Sequence, residues 1–301
     1  MKLMTRLQND LPAERLLLNE PMSRHTSFRI GGAADALFLP ATAEELTRAI
    51  AAAEETGAPW RVLGNGTNVL VRDGGLRGLT IALGEPMSAV HIEGRRITAQ
   101  AGALLSRVGR GAQRAGLQGM AALSGIPGSV GGAAAMNAGA YGGEMKDVLA
   151  RVLVLDDGQP VWMDADALAL SYRDSLILRH GLIVLAAEFE LQSGDPDAIQ
   201  AEMADYAARR REKQPLNMPS AGSTFKRPAG HFAGALIEGA GLKGYRVGGA
   251  QVSELHAGFV VNAGGATARD VLALMDDVRR IVFEQTGVTL EPEVRVIGED
   301  G

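Results

Sequence analysis

Two glycine-rich stretches hold the residues of this chain best suited to cradle a ligand. Between Gly125 and Gly143, seven glycines and five alanines fall within 19 residues, and no charge occurs between Arg114 and Glu144. A flexible linker would carry Ser, Lys or Glu in place of Ile126, Val130, Met136 and Tyr141. Seven glycines and Pro127 also leave too little apolar surface for a membrane span. Backbone this bare suits close approach to something flat or phosphorylated, because glycine tolerates the required dihedrals and omits the side chain. The expectation is a buried, ligand-facing loop; the alternative is a tight structural crossing.

The second stretch is Gly64-Asn65-Gly66-Thr67-Asn68, followed by Val69-Leu70-Val71. It lacks the third glycine of a dinucleotide fingerprint, and an apolar run replaces the helix whose N-terminus would meet a phosphate. A Rossmann site is therefore rejected. A turn between two strands still offers consecutive N–H groups with amide and hydroxyl side chains, which suits a pyrophosphate. Such turns favour Asn and Gly on their own account, so this signal alone is weak.

Other chemistries are poorly supplied. His25, His91, His180, His231 and His256 show no ligand spacing, and there is no cysteine. Disulfides, thiolate metal sites, iron–sulfur clusters and a cysteine nucleophile are excluded, and no metal is expected. Neither a Gly-x-Ser-x-Gly elbow nor a Walker loop is present. Two glycine-rich loops without a Rossmann unit point to a large cofactor that brings its own reactivity, and a flavin is the natural candidate.

The elements that must position these loops read as α+β, with a mixed sheet and few helices. A strand is expected over 34–39. A capping box, Thr42-Ala43-Glu44-Glu45, opens a helix that carries Leu46, Ala49, Ile50 and Ala53 inward and closes at Gly57. Strands follow at 60–63, 79–83, 89–92 and 96–100, then a helix over 104–115. Beyond the glycine-rich stretch a hairpin turns at Asp156-Asp157-Gly158, and Ser171-Tyr172-Arg173-Asp174-Ser175 forms a polar island. A strand at 183–191 precedes a helix begun by Asp195-Pro196, with Ile199, Met203, Tyr206 and Ala207 inward and Arg209-Arg210-Arg211 near its end, where they suit the dipole. The chain then breaks at Pro215-Leu216-Asn217-Met218-Pro219. A helix over 267–286 closes at Gly287, and 289–297 alternates with Leu290, Val294 and Val296 on one face. Ser23 to Gly32 is rich in donors and reads otherwise as a polar entry loop.

At 301 residues the chain has room for two or three domains, and 46% hydrophobic with 22% charged residues is ordinary for a folded protein. A net charge of −5 gives no general footprint for nucleic acid. No signal peptide or spanning run is seen, so a cytoplasmic protein without a membrane or obligate protein partner is expected.

Five motifs in order resemble one family: 61–71 (Arg-Val-Leu-Gly-Asn-Gly-Thr-Asn-Val-Leu-Val), 124–142 (from Ser-Gly-Ile-Pro-Gly-Ser-Val-Gly-Gly-Ala to Met-Asn-Ala-Gly-Ala-Tyr-Gly), 172–175 (Tyr-Arg-Asp-Ser), 221–226 (Ala-Gly-Ser-Thr-Phe-Lys) and 290–294 (Leu-Glu-Pro-Glu-Val). They look like the UDP-N-acetylenolpyruvoylglucosamine reductases, often called MurB, flavoenzymes of peptidoglycan precursor synthesis. The similarity runs from about Ser23 to Ile297. It implies an FAD-binding fold of the vanillyl-alcohol-oxidase (PCMH) type in two subdomains, 1–75 and 76–200, followed by an α+β substrate-binding domain, 201–301. It implies FAD at Gly64, Asn65, Gly66, Thr67, Asn68, Gly125, Ile126, Pro127, Gly128, Gly131 and Gly132, with NADPH as hydride donor.

By the same resemblance, UDP-N-acetylglucosamine enolpyruvate is the substrate and UDP-N-acetylmuramate the product. Ser223 is then the proton donor to the enol intermediate, and Arg173 and Glu293 bind and polarise the substrate carboxylate. Their chemistry agrees with those roles but does not single them out. Arg173 offers paired N–H donors that strengthen as charge develops. Glu293, protonated or hydrogen-bonded, shares that load if burial raises its pKa. Without the family, Ser223 is a turn hydroxyl, Arg173 a surface turn and Glu293 the wet face of an edge strand. Only Gln192-Ser193-Gly194-Asp195 separates the strand near Leu191 from the next helix, which resembles the shorter family form without an inserted tyrosine lid. Two other readings stay open: an oxidase of the same fold superfamily, and a non-catalytic nucleotide-sugar sensor.

Overall fold

The computed structural model describes residues 2–301. They form two compact units, each assembled from separated pieces of chain. The first comprises residues up to Leu17, Leu37–Asn65 and Thr80–Arg209; the second comprises Leu18–Ala36, Gly66–Leu79 and Arg210–Gly301.

The first unit is built on a five-stranded sheet in the order Gln159–Asp164, Leu149–Asp156, Ile183–Glu190, Arg96–Gln100, Val90–Glu93. Every pairing in this sheet is antiparallel, not mixed as expected, and Ile183–Glu190 lies between Leu149–Asp156 and Arg96–Gln100, both earlier in the chain. The hairpin at Asp157-Gly158 turns with positive φ at both residues (44° and 75°), the twist that matches antiparallel strands. Ile183–Glu190 is buried at every residue but its last, as a central strand covered on both faces must be. The helix Val130–Ala135 packs on it. The loop expected across 125–143 therefore contains one turn and a half of helix, and Gly125, Pro127 and Gly132 are exposed rather than buried. Small side chains explain both facts: glycine and alanine lose little by lying flat against a sheet, and Gly131 stands where a Cβ would come 2.9 Å from the Ala101 Cβ.

Thr42 caps the helix Ala43–Glu55 by accepting from the Glu45 N–H. Glu45 does not return the bond to Thr42 as a capping box would. It accepts from the Ala41 N–H at 2.7 Å and takes both terminal nitrogens of Arg15, at 2.5 and 2.6 Å. The Arg15 hydrogen bonds, strengthened by the Ala41 N–H, hold the Glu45 carboxyl down at about 2.

The second unit carries a four-stranded antiparallel sheet in the order Ser220–Ser223, Phe259–Asn262, Ala250–Val252, Arg246–Val247. The helix Ala268–Thr286 opens with a reciprocal Thr267–Asp270 capping box and ends on left-handed Gly287 (φ 72°). Its face of Val271, Leu274, Met275, Val278 and Val282 joins Phe28, Leu70, Phe225, Ile237 and Leu290 in one core. Phe28 and Ile30 are buried there, so Ser23–Gly32 is more than a polar entry loop. The strand expected over 289–297 survives only as Arg295–Ile297, parallel to Val69–Val71. Pro292 has no N–H to give to a longer ladder.

The helix Pro196–Lys213 buries only Ile199. Met203, Tyr206 and Ala207 stay partly exposed, because Tyr206 stacks on Tyr141 (centroids 4.7 Å apart) instead of entering a core. Among the described residues no helix is long and apolar enough to cross a membrane.

Candidate active site

In the first unit the two glycine-rich stretches meet. The exposed Asn65 side chain donates to the Pro127 carbonyl at 2.7 Å, and a Cβ added at Gly64 would stand 2.6 Å from Ser129 Oγ. Ser129 is the residue that motif reading missed. It sits before the Val130–Ala135 helix, where a serine normally caps, yet its side chain makes no cap bond. Ser129 Oγ is buried and has no hydrogen-bond partner among the described residues. A buried hydroxyl without a partner calls for one from outside the chain. Beside it, a Cβ at the exposed Gly132 would meet nothing nearer than Ser129 Oγ at 3.7 Å. A bare backbone and a spare hydroxyl fit the phosphates or ring edge of a large cofactor.

Gly66 has a different reason to be glycine. It takes φ 61°, and a Cβ there would come 2.1 Å from the His25 carbonyl oxygen. The missing side chain makes way for the protein's own backbone.

The second unit brings Ser223 and Glu293 onto neighbouring segments. Thr224 is buried; its N–H donates to the Gly258 carbonyl at 2.9 Å, and its Oγ1 accepts from the Val260 N–H at 2.9 Å. On its other side the Thr224 carbonyl accepts the Glu293 N–H at 2.8 Å. Ser223, next in line, is exposed. Asn68 reaches the same place: its side-chain amide donates to the Glu293 carbonyl at 3.1 Å, and its carbonyl accepts the Arg295 N–H at 3.0 Å. His256 braces the Gly258 turn by accepting the Gly258 N–H on Nδ1 at 3.0 Å, and burial lowers its pKa. Its proton therefore belongs on Nε2.

Arg173 lies in the first unit, in a turn closed by the Ser171–Asp174 bridge, and takes φ 57°. Its guanidinium stands over the exposed Tyr172 ring, 5.4 Å from the centroid. The short helix Leu176–His180 follows, capped by Ser175 and ended by left-handed Gly181. Glu144 is held below the ordinary carboxylate value by its bond to Lys146, then by Asn137, with the Lys146 and Arg173 charges adding to both. Among the described residues no group of three or more potential ligands stands close enough to hold a metal.

Comparison with known proteins decides the family. The FAD binding domain model matches residues 34–164, and the UDP-N-acetylenolpyruvoylglucosamine reductase C-terminal domain model matches 214–297. The chain is 49% identical to the UDP-N-acetylenolpyruvoylglucosamine reductase of Clostridioides difficile, over 98% of this chain and 97% of the relative. The chain belongs to the UDP-N-acetylenolpyruvoylglucosamine reductases. It is 51% identical to the Agathobacter rectalis reductase over 96% of each chain. The crystal structure of the Thermus caldophilus reductase matches with a TM-score of 0.80 and 39% identity, covering 93% of this chain and 97% of that one. The reductase fold is thus α+β, a PCMH-type FAD-binding domain with a reductase C-terminal domain, as its motifs implied.

Proposed function

We propose that this reductase converts UDP-N-acetylglucosamine enolpyruvate to UDP-N-acetylmuramate with FAD as cofactor and NADPH as hydride donor, in the cytoplasm, for peptidoglycan precursor synthesis. The observation that carries this reading is near-full-length identity to reductases of that name, joined to a loop pair that leaves Ser129 Oγ unpartnered. When bound, FAD would supply the hydride chemistry that links NADPH to the enolpyruvyl double bond. Gly64, Asn65, Gly128, Ser129 and Gly132 hold the cofactor, together with Gly66, Thr67, Asn68, Gly125, Ile126, Pro127 and Gly131.

The remaining chemistry falls to side chains of this chain. Hydride addition to an enol ether conjugated with a carboxylate drives charge into that carboxylate. Arg173 clamps it with a planar pair of N–H donors, whose hold strengthens as the charge grows. Glu293 shares the polarisation from its place beside Thr224. Ser223 hands its hydroxyl proton to the neighbouring carbon and completes the saturated product. Its exposure suits that task, since a donor must reach substrate.

The three-part division at 75 and 200 is proposed as an assignment of roles: cofactor, cofactor, substrate. The turn between Glu190 and Pro196, occupied by the short strand Gln192–Ser193, supports the short form without a tyrosine lid. The test is product analysis. The purified yellow protein, given NADPH and the enolpyruvyl sugar nucleotide, yields a product two hydrogens heavier by mass spectrometry. NADPH consumption coupled to oxygen alone indicates an oxidase, and a colourless protein that binds the sugar nucleotide indicates a sensor.

A further inference from the structure

Asn137 follows the Val130–Ala135 helix in a left-handed conformation (φ 42°) and is 2% exposed. Its side chain spends three hydrogen bonds around Arg173. Nδ2 donates to Glu144 Oε2 at 2.9 Å and to the Ser171 carbonyl at 3.2 Å, and Oδ1 accepts the Lys146 N–H at 2.9 Å. Ser171 is the root of the turn that carries Arg173. The Ser171 N–H donates to the Asp174 carbonyl at 3.0 Å, and the Asp174 N–H donates back at 3.2 Å. Between them Arg173 keeps a positive φ, which a side chain of its size holds only where its surroundings over-determine it. A second tether flanks the turn: buried Ser175 donates from Oγ to the Ala135 carbonyl at 2.6 Å. Glu144 is in turn fixed by Lys146 Nζ at 2.8 Å.

We infer that Asn137 is a positioning residue: its one amide ties the Ser171–Asp174 turn to Glu144 and so sets where the Arg173 guanidinium stands for the substrate carboxylate. The inference rests on the reading of Arg173 as the carboxylate clamp. A clamp with two parallel bonds tolerates little displacement, and a shift of about 1 Å costs about 10² in rate. The Arg173 charge also helps keep Glu144 ionised, after the larger effects of Lys146 and Asn137, which places that carboxylate within electrostatic reach of the guanidinium.

Asn137→Asp tests this with little change of shape. Asp also tolerates the left-handed region and keeps an acceptor for the Lys146 N–H, but it loses both donated bonds. At about pH 8, flavin content and bleaching by NADPH should match wild type, while re-oxidation by the enolpyruvyl substrate slows by about 10². The new carboxyl faces Glu144, a like charge that raises its pKa. Acidification toward about pH 6 should therefore return a proton to donate and shrink the defect. A defect independent of pH, or loss of flavin from folded protein, overturns the inference. Combined with Arg173→Lys, the substitution should slow re-oxidation no further than Arg173→Lys alone, because both act through one group; additive slowing also overturns it. Arg173→Lys at wild-type rate removes the clamp reading itself. A slow Arg173→Lys beside an unimpaired Asn137→Asp removes only the positioning role. If Asn137→Asp does not fold, Glu144→Ala removes the acceptor that anchors the Asn137 amide. It should raise KM for the enolpyruvyl substrate about tenfold with bleaching unchanged, and an unchanged KM overturns the inference.

Discussion

Replacing Ser223 by alanine separates chemistry from folding at a single atom. Ser223 is exposed, and the strand Ser220–Ser223 is held by its neighbours: the buried Thr224 makes the bonds to Gly258, Val260 and Glu293. Loss of an exposed hydroxyl outside such a network changes stability by only about 0.5 kcal/mol. Loss of a general acid costs about 10² to 10⁴ in rate, or roughly 3 to 5 kcal/mol of barrier. The kinetic effect should thus exceed the folding effect by several kcal/mol, and the two half-reactions locate it. Flavin bleaching by NADPH needs no proton at substrate carbon, so stopped-flow absorbance should show it near wild type in Ser223→Ala. Re-oxidation by the enolpyruvyl substrate should slow by about 10² to 10⁴. Ser223→Cys should recover part of that loss by restoring a transferable proton. Thr224→Val is the structural control: it orphans the Val260 N–H, costs about 1 to 3 kcal/mol of stability and should lower the melting temperature. Equal slowing of both half-reactions in Ser223→Ala, or no slowing of the second, would refute the proton-donor role.

Three further expectations follow from the geometry. Gly132→Val should give folded but flavin-poor protein, since its Cβ meets no backbone, whereas Gly66→Val should lower the melting temperature through collision with the His25 carbonyl; flavin absorbance and thermal melts check both. Arg173→Lys keeps the charge but loses the planar fork, so turnover should fall with FAD content intact, as steady-state kinetics and the flavin spectrum will show. Glu45 titrates at about 2 when folded against an ordinary 4.5, so its stabilisation is full above pH 4.5 and is lost as the pH falls toward 2. Denaturant midpoints should therefore drop over that window in wild type and stay flatter in Glu45→Gln.

Periodicity and punctuation made much of the fold legible. Thr42 and Thr267 cap helices and Gly287 ends one where local chemistry requires it, and the strand Arg96–Gln100 falls where its alternation put it. The 125–143 stretch did not read as helix because glycine disfavours helix locally; packing against Ile183–Glu190 and bonds from the Val130 and Gly131 N–H groups to Ala103 and Ala101 hold one. The helix Leu176–His180, just after the polar island, went unread, although Ser175 and Gly181 are its caps. The candidate site was less legible. Ser223, Arg173 and Glu293 sit on turns and short segments without a period of their own, so family motifs alone marked them. Ser129 and Asn137 lie inside the 124–142 motif, but nothing in it singled them out, because an unpartnered hydroxyl and a three-way amide exist only once distant segments pack.

The central claim is two-electron traffic from NADPH through a bound flavin to an enolpyruvyl sugar nucleotide. Anaerobic titration of the purified protein measures it directly. One equivalent of NADPH should bleach the flavin band, and one equivalent of UDP-N-acetylglucosamine enolpyruvate should then restore it without oxygen. A bleached flavin that stays bleached until air is admitted would contradict the account.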